Sequence, residues 1–247
     1  LISYPAFGKT NFRVTDAKGG SVPWLINHGR IEFFVKVPSM GYTTFTISGS
    51  KTSSEQKHTG KAELTITEKG IILENRFIKV LICDDGVIHS IFDKEKEIET
   101  VKCANRLLMW EDLPINWEAW DINHYYKETK PEQAKRISIE LLGDKGHLVG
   151  IEQVMSIGSS TIVQTITLSS DSREIRIENV ADWKEEKKLL KAVAETTVHS
   201  DTATYEIQFG NIKRPTHFNT SWDAAKFEVP AQRFADISQN DFGIALL

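Results

Sequence analysis

The 247-residue sequence predicts an all-β fold, and three observations lead to that prediction. Apolar and polar side chains alternate with a period of two, most clearly in residues 161–168 and 173–180, as they do when one face of a strand is buried. The alternating stretches are rich in Ile, Val, Thr and Phe, which favour strands. Turn residues such as Asp85 and Gly86 lie between them, where hairpins need them.

Each strand is predicted on these grounds. In chain order the predicted strands are residues 31–37, 43–47, 62–66, 77–83, 137–142, 161–168, 173–180, 189–193, 203–209 and 226–229. Residues 16–20 and 143–146 supply further turn residues. Residues 183–191 are the best candidate for a helix, but their charged run leads into an apolar stretch. We therefore expect a loop followed by a strand there.

A polar stretch divides the chain. Residues 48–60 contain almost nothing apolar to bury, which is typical of a linker. We expect a small β-sandwich in residues 1–60 and one large β domain in residues 61–247. The chain begins at Leu1 and ends at Leu247 within an apolar run, which favours a piece of a longer protein. On that interpretation the small sandwich could be incomplete, and the large domain is truncated at its carboxy end.

The composition of the chain limits the kinds of partner that it could bind. A formal net charge of −4 gives no basic excess for nucleic acid or an anionic membrane. The apolar runs are only a few residues long, so neither a membrane span nor a signal peptide is visible. The sequence thus predicts a cytoplasmic protein with no nucleic-acid or membrane partner. Cys83 and Cys103 lie in apolar stretches and are expected to be buried thiols, without a disulfide or a metal site.

An aromatic and acidic stretch, residues 110–126, is the strongest indication of a ligand. It combines three tryptophans and two tyrosines with Glu111, Glu118 and Asp121. Aromatic faces stack on sugar rings, and carboxylates accept hydrogen bonds from sugar hydroxyls. Glu118 and Asp121 would also suit the acid pair of a glycosidase. A packed aromatic corner of the core is the alternative.

A second stretch, residues 214–230, has similar chemistry. Arg214, Asn219, Trp222 and Asp223 combine planar donors, acceptors and an indole face, although Trp222 could equally anchor a long connection. His124 and His217 are the histidines within dense polar and aromatic surroundings. Phosphate-loop, zinc-protease and serine-hydrolase signatures do not occur in the sequence.

These two stretches resemble the post-catalytic half of the α-mannosidases of glycoside hydrolase family 38, especially the cytosolic and microbial branch. Further resemblance, in the expected order, lies in residues 37–42, 73–77, 86–95, 182–183, 205–210 and 241–247. The resemblance implies a small β-sandwich followed by a large galactose-mutarotase-like supersandwich. It also implies an amino-terminal catalytic domain that this chain does not contain.

The resemblance further implies that the full-length enzyme hydrolyses α-mannosides with retention of configuration. Its zinc ion, nucleophile and acid/base belong to the amino-terminal domain, so no catalytic residue, metal ligand or cofactor is expected here, and the chain alone should be inactive. This chain would scaffold its own catalytic domain and wall the substrate cleft. The candidate cleft-lining residues are Trp117, Trp120, Asp121, Tyr125, Tyr126, Arg214, His217, Asn219, Trp222 and Asp223.

Other interpretations remain open. The same residues could only join the sandwich to the catalytic domain, or they could form a stand-alone, lectin-like carbohydrate-binding module. An aldose epimerase would fit a mutarotase-like sandwich, but no His and Glu acid/base pair can be assigned. Asn123 and Phe218 depart from the family pattern, which usually has Asp and a basic residue there, so fine specificity could differ. An exposed aromatic patch would also favour a homo-oligomer.

Overall fold

A computed structural model describes residues 2–8, 11–27, 29–50, 61–117, 120–143 and 145–247. Strands hold 55% of the described residues and helices 4%, which confirms the all-β prediction. The strands are β1 Ile2–Pro5, β2 Phe12–Asp16, β3 Leu25–Asn27, β4 Arg30–Phe33, β5 Phe45–Gly49, β6 Ala62–Thr67, β7 Gly70–Glu74, β8 Ile78–Ile82, β9 Ile88–Asp93, β10 Ile98–Glu99, β11 Val101–Glu111, β12 Glu132–Gln133, β13 Lys135–Leu142, β14 Lys145–Gly146, β15 Leu148–Ile157, β16 Ser160–Ser169, β17 Ile175–Asp182, β18 Lys188–Thr196, β19 Thr202–Ile207, β20 Gly210–Pro215, β21 Ala235–Gln239 and β22 Phe242–Leu246.

The helices are a 3-10 helix, His124–Glu128, and a short α-helix, α1, Ser221–Ala225. Within the described ranges, neither helix has the length or the apolar run that a membrane crossing requires. The chain forms two compact units. Unit 1 comprises Leu1–Lys79, Ile137–Val154 and Ile162–Ala181, and unit 2 comprises Val80–Arg136, Met155–Thr161 and Asp182–Leu247.

The first part of unit 1 consists of two small antiparallel sheets, one in the order β1-β4-β3 and one pairing β2 with β5. Alternate side chains of β2 and β4 point into a shared core, which contains Phe12, Val14, Trp24, Ile31 and Phe33. The Phe12 and Trp24 rings meet edge to face at 5.7 Å between centroids, a favourable aromatic geometry. Two sheets over one apolar core form the small sandwich.

The rest of unit 1 has strands in the order β14-β6-β7-β8 and a four-stranded sheet in the order β13-β15-β16-β17. Every second residue of β15 and β16 is buried. Gln153 on β15 donates to Gln164 on β16 at 2.8 Å, and Gln164 donates to Asn179 at 2.7 Å, so the three amides form a chain of hydrogen bonds across the sheet. At Gly150 a Cβ would lie 2.3 Å from the Ile166 carbonyl oxygen. Only glycine allows this close approach.

Unit 2 begins with strands in the order β8-β9-β11-β12, with β10 beside β9 and β18 beside β11. The long strand β11 pairs with β18 from Val101↔Thr196 to Glu111↔Lys188. The pairing register shifts between Val101 and Arg106, and Asn105 has a φ of 58° there, as expected at a β-bulge. Leu107, Leu108 and Met109 of this strand are buried. β11 is therefore the central strand of the unit, and it leads directly into residues 110–126.

The second sheet of unit 2 is antiparallel, in the order β20-β19-β21-β22. Ala203 of β19 is buried, whereas most of β20 and β22 is exposed. β20 ends at Pro215, so the sheet carries Arg214 at its edge and delivers the chain into residues 214–230.

Several sequence predictions were correct. Cys103 is buried as expected, but Cys83 is only half-buried. The expected loop and strand in 183–191 are confirmed, because the strand β18 begins at Lys188. The Asp85–Gly86 turn is also confirmed by bonds from Cys83 N to Val87 O and from Gly86 N to Cys83 O, each 3.0 Å. The predicted strand 226–229 is wrong. Lys226 caps α1, and the residues after it form a loop held by side chains.

The division into domains 1–60 and 61–247 stays a prediction, because residues 51–60, at the expected linker, lie outside the described residues.

Candidate functional site

The first aromatic segment, residues 110–126, begins at the end of β11 and is held by backbone hydrogen bonds to Trp117. The Trp120 and Asp121 amides donate to the Trp117 carbonyl at 2.9 and 3.0 Å, and Trp117 has a φ of 66°. Asp121 Oδ1 accepts from the Ile122 amide at 2.9 Å. Glu118 lies outside the described residues, so the proposed pairing of its carboxylate with Asp121 stays a prediction.

The turn displays its indole rings to solvent. Trp117 is 74% exposed and Trp120 is 89% exposed, although large apolar rings usually bury most of their surface. Tyr125 is half exposed, and its ring lies 4.0 Å from the His124 ring between centroids. Three predicted residues of this segment therefore offer aromatic faces for contact.

Tyr126 differs from its neighbours. It is only 7% exposed, and its ring packs edge to face on Trp110 at 5.6 Å between centroids. The 3-10 helix that carries it begins after Asn123, whose side chain accepts from the Tyr125 amide at 3.3 Å. Within this helix Tyr125 is therefore exposed and Tyr126 is buried.

The second aromatic segment, residues 214–230, is organised by the cap of α1. Thr220 Oγ1 accepts from the Asp223 amide at 3.1 Å, as an N-cap side chain does, and donates to Asp223 Oδ2 at 2.7 Å. His217 Nδ1 lies 3.6 Å from the same Asp223 oxygen. Asn219 is exposed, and Trp222 is 79% exposed. The cap thus leaves this third indole ring in solvent.

A small cavity of about 240 Å³ lies in the second segment. Its polar walls include Arg214, His217 and Asp223, and its aromatic walls include Phe218 and Phe227. Arg214 Nη1 donates to the Pro230 carbonyl at 2.8 Å, so the guanidinium is held in place. The cavity combines a fixed cation, a carboxylate, an imidazole and aromatic faces.

The two segments meet within unit 2. Lys127 Nζ lies 5.3 Å from the Phe227 ring centroid, 5.8 Å from that of Phe218 and 5.7 Å from that of Tyr126, which are cation–π distances. The His124 ring also approaches the Phe227 ring at 6.0 Å between centroids. The structure therefore brings the predicted stretches together.

A polar cluster joins the segments to strand β18. Lys191 Nζ donates to the Tyr126 hydroxyl at 2.8 Å and also to Glu228 Oε1. The Tyr126 hydroxyl donates to Glu228 Oε1 at 2.5 Å. We call Tyr126, Lys191 and Glu228 the Lys191 cluster.

The charges in this cluster stabilise each other. Burial and the nearby Glu228 carboxylate raise the pKa of Tyr126. Burial opposes ionisation of Lys191 and Glu228, but their mutual hydrogen bond, their hydrogen bonds to Tyr126 and their mutual attraction together outweigh it, so the pKa of Lys191 is raised and that of Glu228 is lowered. At neutral pH the cluster contains an ammonium, a carboxylate and a neutral phenol.

Comparison with known proteins identifies the family. The family model of the glycosyl hydrolases family 38 C-terminal domain matches residues 73–247, well over half of the chain. The chain belongs to glycosyl hydrolase family 38. The family 38 relatives include alpha-mannosidase G of Dictyostelium discoideum, 34% identical over 228 residues, and alpha-mannosidase 2C1 of Homo sapiens, 33% identical over 222 residues.

The family 38 chain matches only part of these proteins. It aligns over 86% of its own length with the Dictyostelium and the human protein, but covers 21% of each of them. The crystal structure of an alpha-mannosidase from Enterococcus faecalis V583 is similar over 99% of this chain, with a TM-score of 0.73 and 13% identity, and the match spans 34% of that structure's chain. The chain therefore spans about a fifth of the length of the curated relatives, and it shares its fold with part of the Enterococcus protein.

Some residues of this family 38 site were not predicted from sequence. Lys191 and Glu228 lay within predicted strands, and Lys127 follows the tyrosine pair directly. Half-buried Lys and Glu side chains need partners, but the sequence does not indicate which ones. The Thr220-x-x-Asp223 spacing was the one available signal for α1.

No zinc site is evident among the described residues of this family 38 chain. Among those residues, no three His, Cys, Asp or Glu side chains are grouped to hold a metal ion. We therefore assign no step of a reaction through a metal to these residues.

Proposed function

We propose that this chain is the non-catalytic, carboxy-terminal β portion of a longer α-mannosidase. In that enzyme it scaffolds the catalytic domain and forms one wall of the cleft that binds α-mannosides. The single observation that carries the proposal is the meeting of two aromatic segments in a chain similar to α-mannosidases. Support comes from relatives named alpha-mannosidase, of which this chain matches a fifth.

The exposed indole rings support a cleft wall. Trp117, Trp120 and Trp222 are each at least 74% exposed, and stacking on the apolar face of a sugar would bury such rings. Asp121 and Asn219 lie within the same segments and offer acceptors and donors for hydroxyl groups. Aromatic and polar groups in such proximity favour a sugar over a purely apolar partner.

The cavity in the second segment suits one sugar unit. Its volume of about 240 Å³ is below the roughly 300–1,000 Å³ of pockets that hold drug-sized ligands. Arg214, His217 and Asp223 supply polar groups for several hydroxyls, and Phe227 supplies an apolar face. We therefore propose that the cavity receives a single mannose unit of the substrate.

The reaction itself belongs, in this proposal, to the part of the enzyme outside this chain. A retaining glycosidase needs two carboxyl groups about 5–5.5 Å apart across the scissile bond. Among the described residues, no three His, Cys, Asp or Glu side chains are grouped to hold a zinc ion. We propose that this chain alone does not hydrolyse α-mannosides, and that the full-length enzyme is cytoplasmic.

Substitution of the exposed tryptophans in the full-length enzyme tests the cleft wall. Trp120→Ala and Trp222→Ala are each expected to raise KM for an aryl α-mannoside about three- to ten-fold, with little change in kcat, because each removes a stacking face worth about 0.5–1.5 kcal/mol. Phe209→Ala is the matched control, since Phe209 is a fully exposed ring outside both segments. Unchanged KM in both tryptophan variants would contradict the cleft wall.

Titration of the chain alone with mannose and short mannosides separates this function from a lectin. The proposal predicts no shift of tryptophan fluorescence at millimolar sugar, because the rest of the cleft is missing. Saturable binding by the isolated chain would instead favour the stand-alone carbohydrate-binding module.

A further inference from the structure

The Lys191 cluster connects three separate elements. Tyr126 belongs to the 3-10 helix, Lys191 to strand β18, and Glu228 to the loop after α1. Three hydrogen bonds join the three side chains in a closed ring, and two of them end on the same oxygen, Glu228 Oε1. Each side chain is therefore held by both of the others.

Lys191 is the fixed member of the cluster. Strand β18 pairs with the central strand β11 over a long register, in which Lys191 lies opposite Leu108. Leu108 is buried in the core, so its backbone cannot move without disturbing that core. The ammonium group is thus attached to a strand that is paired with the buried central strand.

The other two members carry the candidate sugar-binding residues. Tyr126 lies five residues after Asp121, with the Asn123 cap between them. Glu228 follows Phe227, which lines the cavity, and lies five residues after Asp223. Lys127 makes a second connection between the two segments, because its ammonium donates to the Phe227 carbonyl at 3.4 Å. Movement of either segment would break hydrogen bonds in the cluster.

We propose that Lys191, Tyr126 and Glu228 are positioning residues, which hold the two aromatic segments in the arrangement that binds the α-mannoside. This inference rests on the proposed function and deepens it, since it assigns a role to two residues outside the predicted site. Tyr126, with its ring buried against Trp110, acts here through its hydroxyl and does not contact the sugar.

Removal of the Lys191 ammonium group would leave the Glu228 carboxylate without its counter-ion. Lys191→Met keeps the length and apolar stem of the side chain but leaves Glu228 Oε1 facing only the Tyr126 hydroxyl. A partly buried carboxylate that loses its counter-ion moves towards water. The loop around Glu228 and the 3-10 helix would then move apart, while the pairing of β18 with β11 stays intact.

The test uses the full-length enzyme with Lys191→Met, Lys191→Arg and the control Lys184→Met. Lys184 is a surface lysine whose ammonium pairs with Asp182 at 2.9 Å, outside both segments. KM and kcat are measured on an aryl α-mannoside. Amide hydrogen exchange, resolved by peptide with mass spectrometry, reports on residues 120–128 and 219–228 separately from β11 and β18.

Lys191→Met is expected to raise KM about three- to ten-fold with kcat within about two-fold of wild type, because ground-state positioning is lost. Exchange should become faster in both segments and stay unchanged in β11 and β18. Lys191→Arg, which keeps the charge and the donors, should restore KM to within about two-fold. Lys184→Met should match wild type.

Two results would overturn the inference. One is wild-type KM and wild-type exchange in Lys191→Met. The other is faster exchange throughout the chain, which would indicate a general loss of stability. The proposed function is tested separately, by the KM values of the Trp120→Ala and Trp222→Ala variants. If those variants keep wild-type KM while Lys191→Met loosens the segments, the positioning role in mannoside binding is contradicted as well.

Discussion

At the scale of single residues, adjacent side chains of the same type have different environments. The sequence predicted both Tyr125 and Tyr126 as candidate cleft-lining residues; in the structure the first is half exposed, and the second is buried with its hydroxyl in the Lys191 cluster. A pattern of residue types cannot predict that difference, because it depends on partners more than 60 residues away in the chain.

Tyr126→Phe should destabilise the protein by about 1–2 kcal/mol, because Glu228 and Lys191 each lose a hydrogen-bond partner in a partly buried place. Urea unfolding followed by tryptophan fluorescence measures this change. Tyr125→Phe is the matched control and should alter the free energy of unfolding by less than about 0.5 kcal/mol. Equal losses in the free energy of unfolding for Tyr126→Phe and Tyr125→Phe would contradict the hydrogen bonding assigned to the Lys191 cluster.

The stability that Glu228 contributes should depend on pH. Its pKa in the folded state is lowered from the ordinary value of 4.5 by Lys191 and Tyr126, which outweigh the effect of burial. A lowered pKa gives stability that is present above about pH 4.5 and is lost as the pH falls through the folded-state pKa. The raised pKa of Lys191 gives stability that is present below its ordinary pKa of 10.5 and is lost as the pH rises through the folded-state pKa.

Unfolding of wild type and Glu228→Gln across pH 3–8 tests this dependence. The variant should be less stable than wild type at neutral pH, and the difference should shrink towards pH 3 as Glu228 takes up a proton. A difference that stays constant over this range would contradict the assigned charges.

At the scale of secondary-structure elements, alternation predicted strands well where one face is buried. Residues 161–168 lie within β16, in which every second residue is buried. Strand β11 was not predicted, because its buried run Leu107, Leu108 and Met109 does not alternate. Residues 226–229 alternate but do not form a strand, since Lys226 is the C-cap of α1 and Pro230 follows. Short patterns cannot reveal whether a pairing partner exists.

Gly150→Ala tests the close contact between β15 and β16. A Cβ at this position would lie 2.3 Å from the Ile166 carbonyl oxygen, so the two backbones must separate. We expect a loss of about 2 kcal/mol or more in the free energy of unfolding. Gly49→Ala in β5 is the control, because no atom lies within 4 Å of its Cβ position. A free energy of unfolding for Gly150→Ala equal to that of the control would contradict the close contact between β15 and β16.

At the scale of the whole molecule, the sequence identified two stretches of similar chemistry that are about 100 residues apart, and unit 2 brings them together through Lys127, Phe218 and Phe227. The resemblance to family 38 is confirmed by the family model and by the relatives. Strand order and the Lys191 cluster depend on long-range pairing, which the residue pattern does not reveal. A homo-oligomer stays a prediction.

The measurement that tests the central claim most directly compares this chain with the full-length enzyme for hydrolysis of an aryl α-mannoside and for zinc content. The account predicts turnover and bound zinc in the full-length enzyme and neither in the chain alone. Hydrolysis by the chain alone would contradict the account, and Asp121 and Glu118 would then be the first carboxylates to replace.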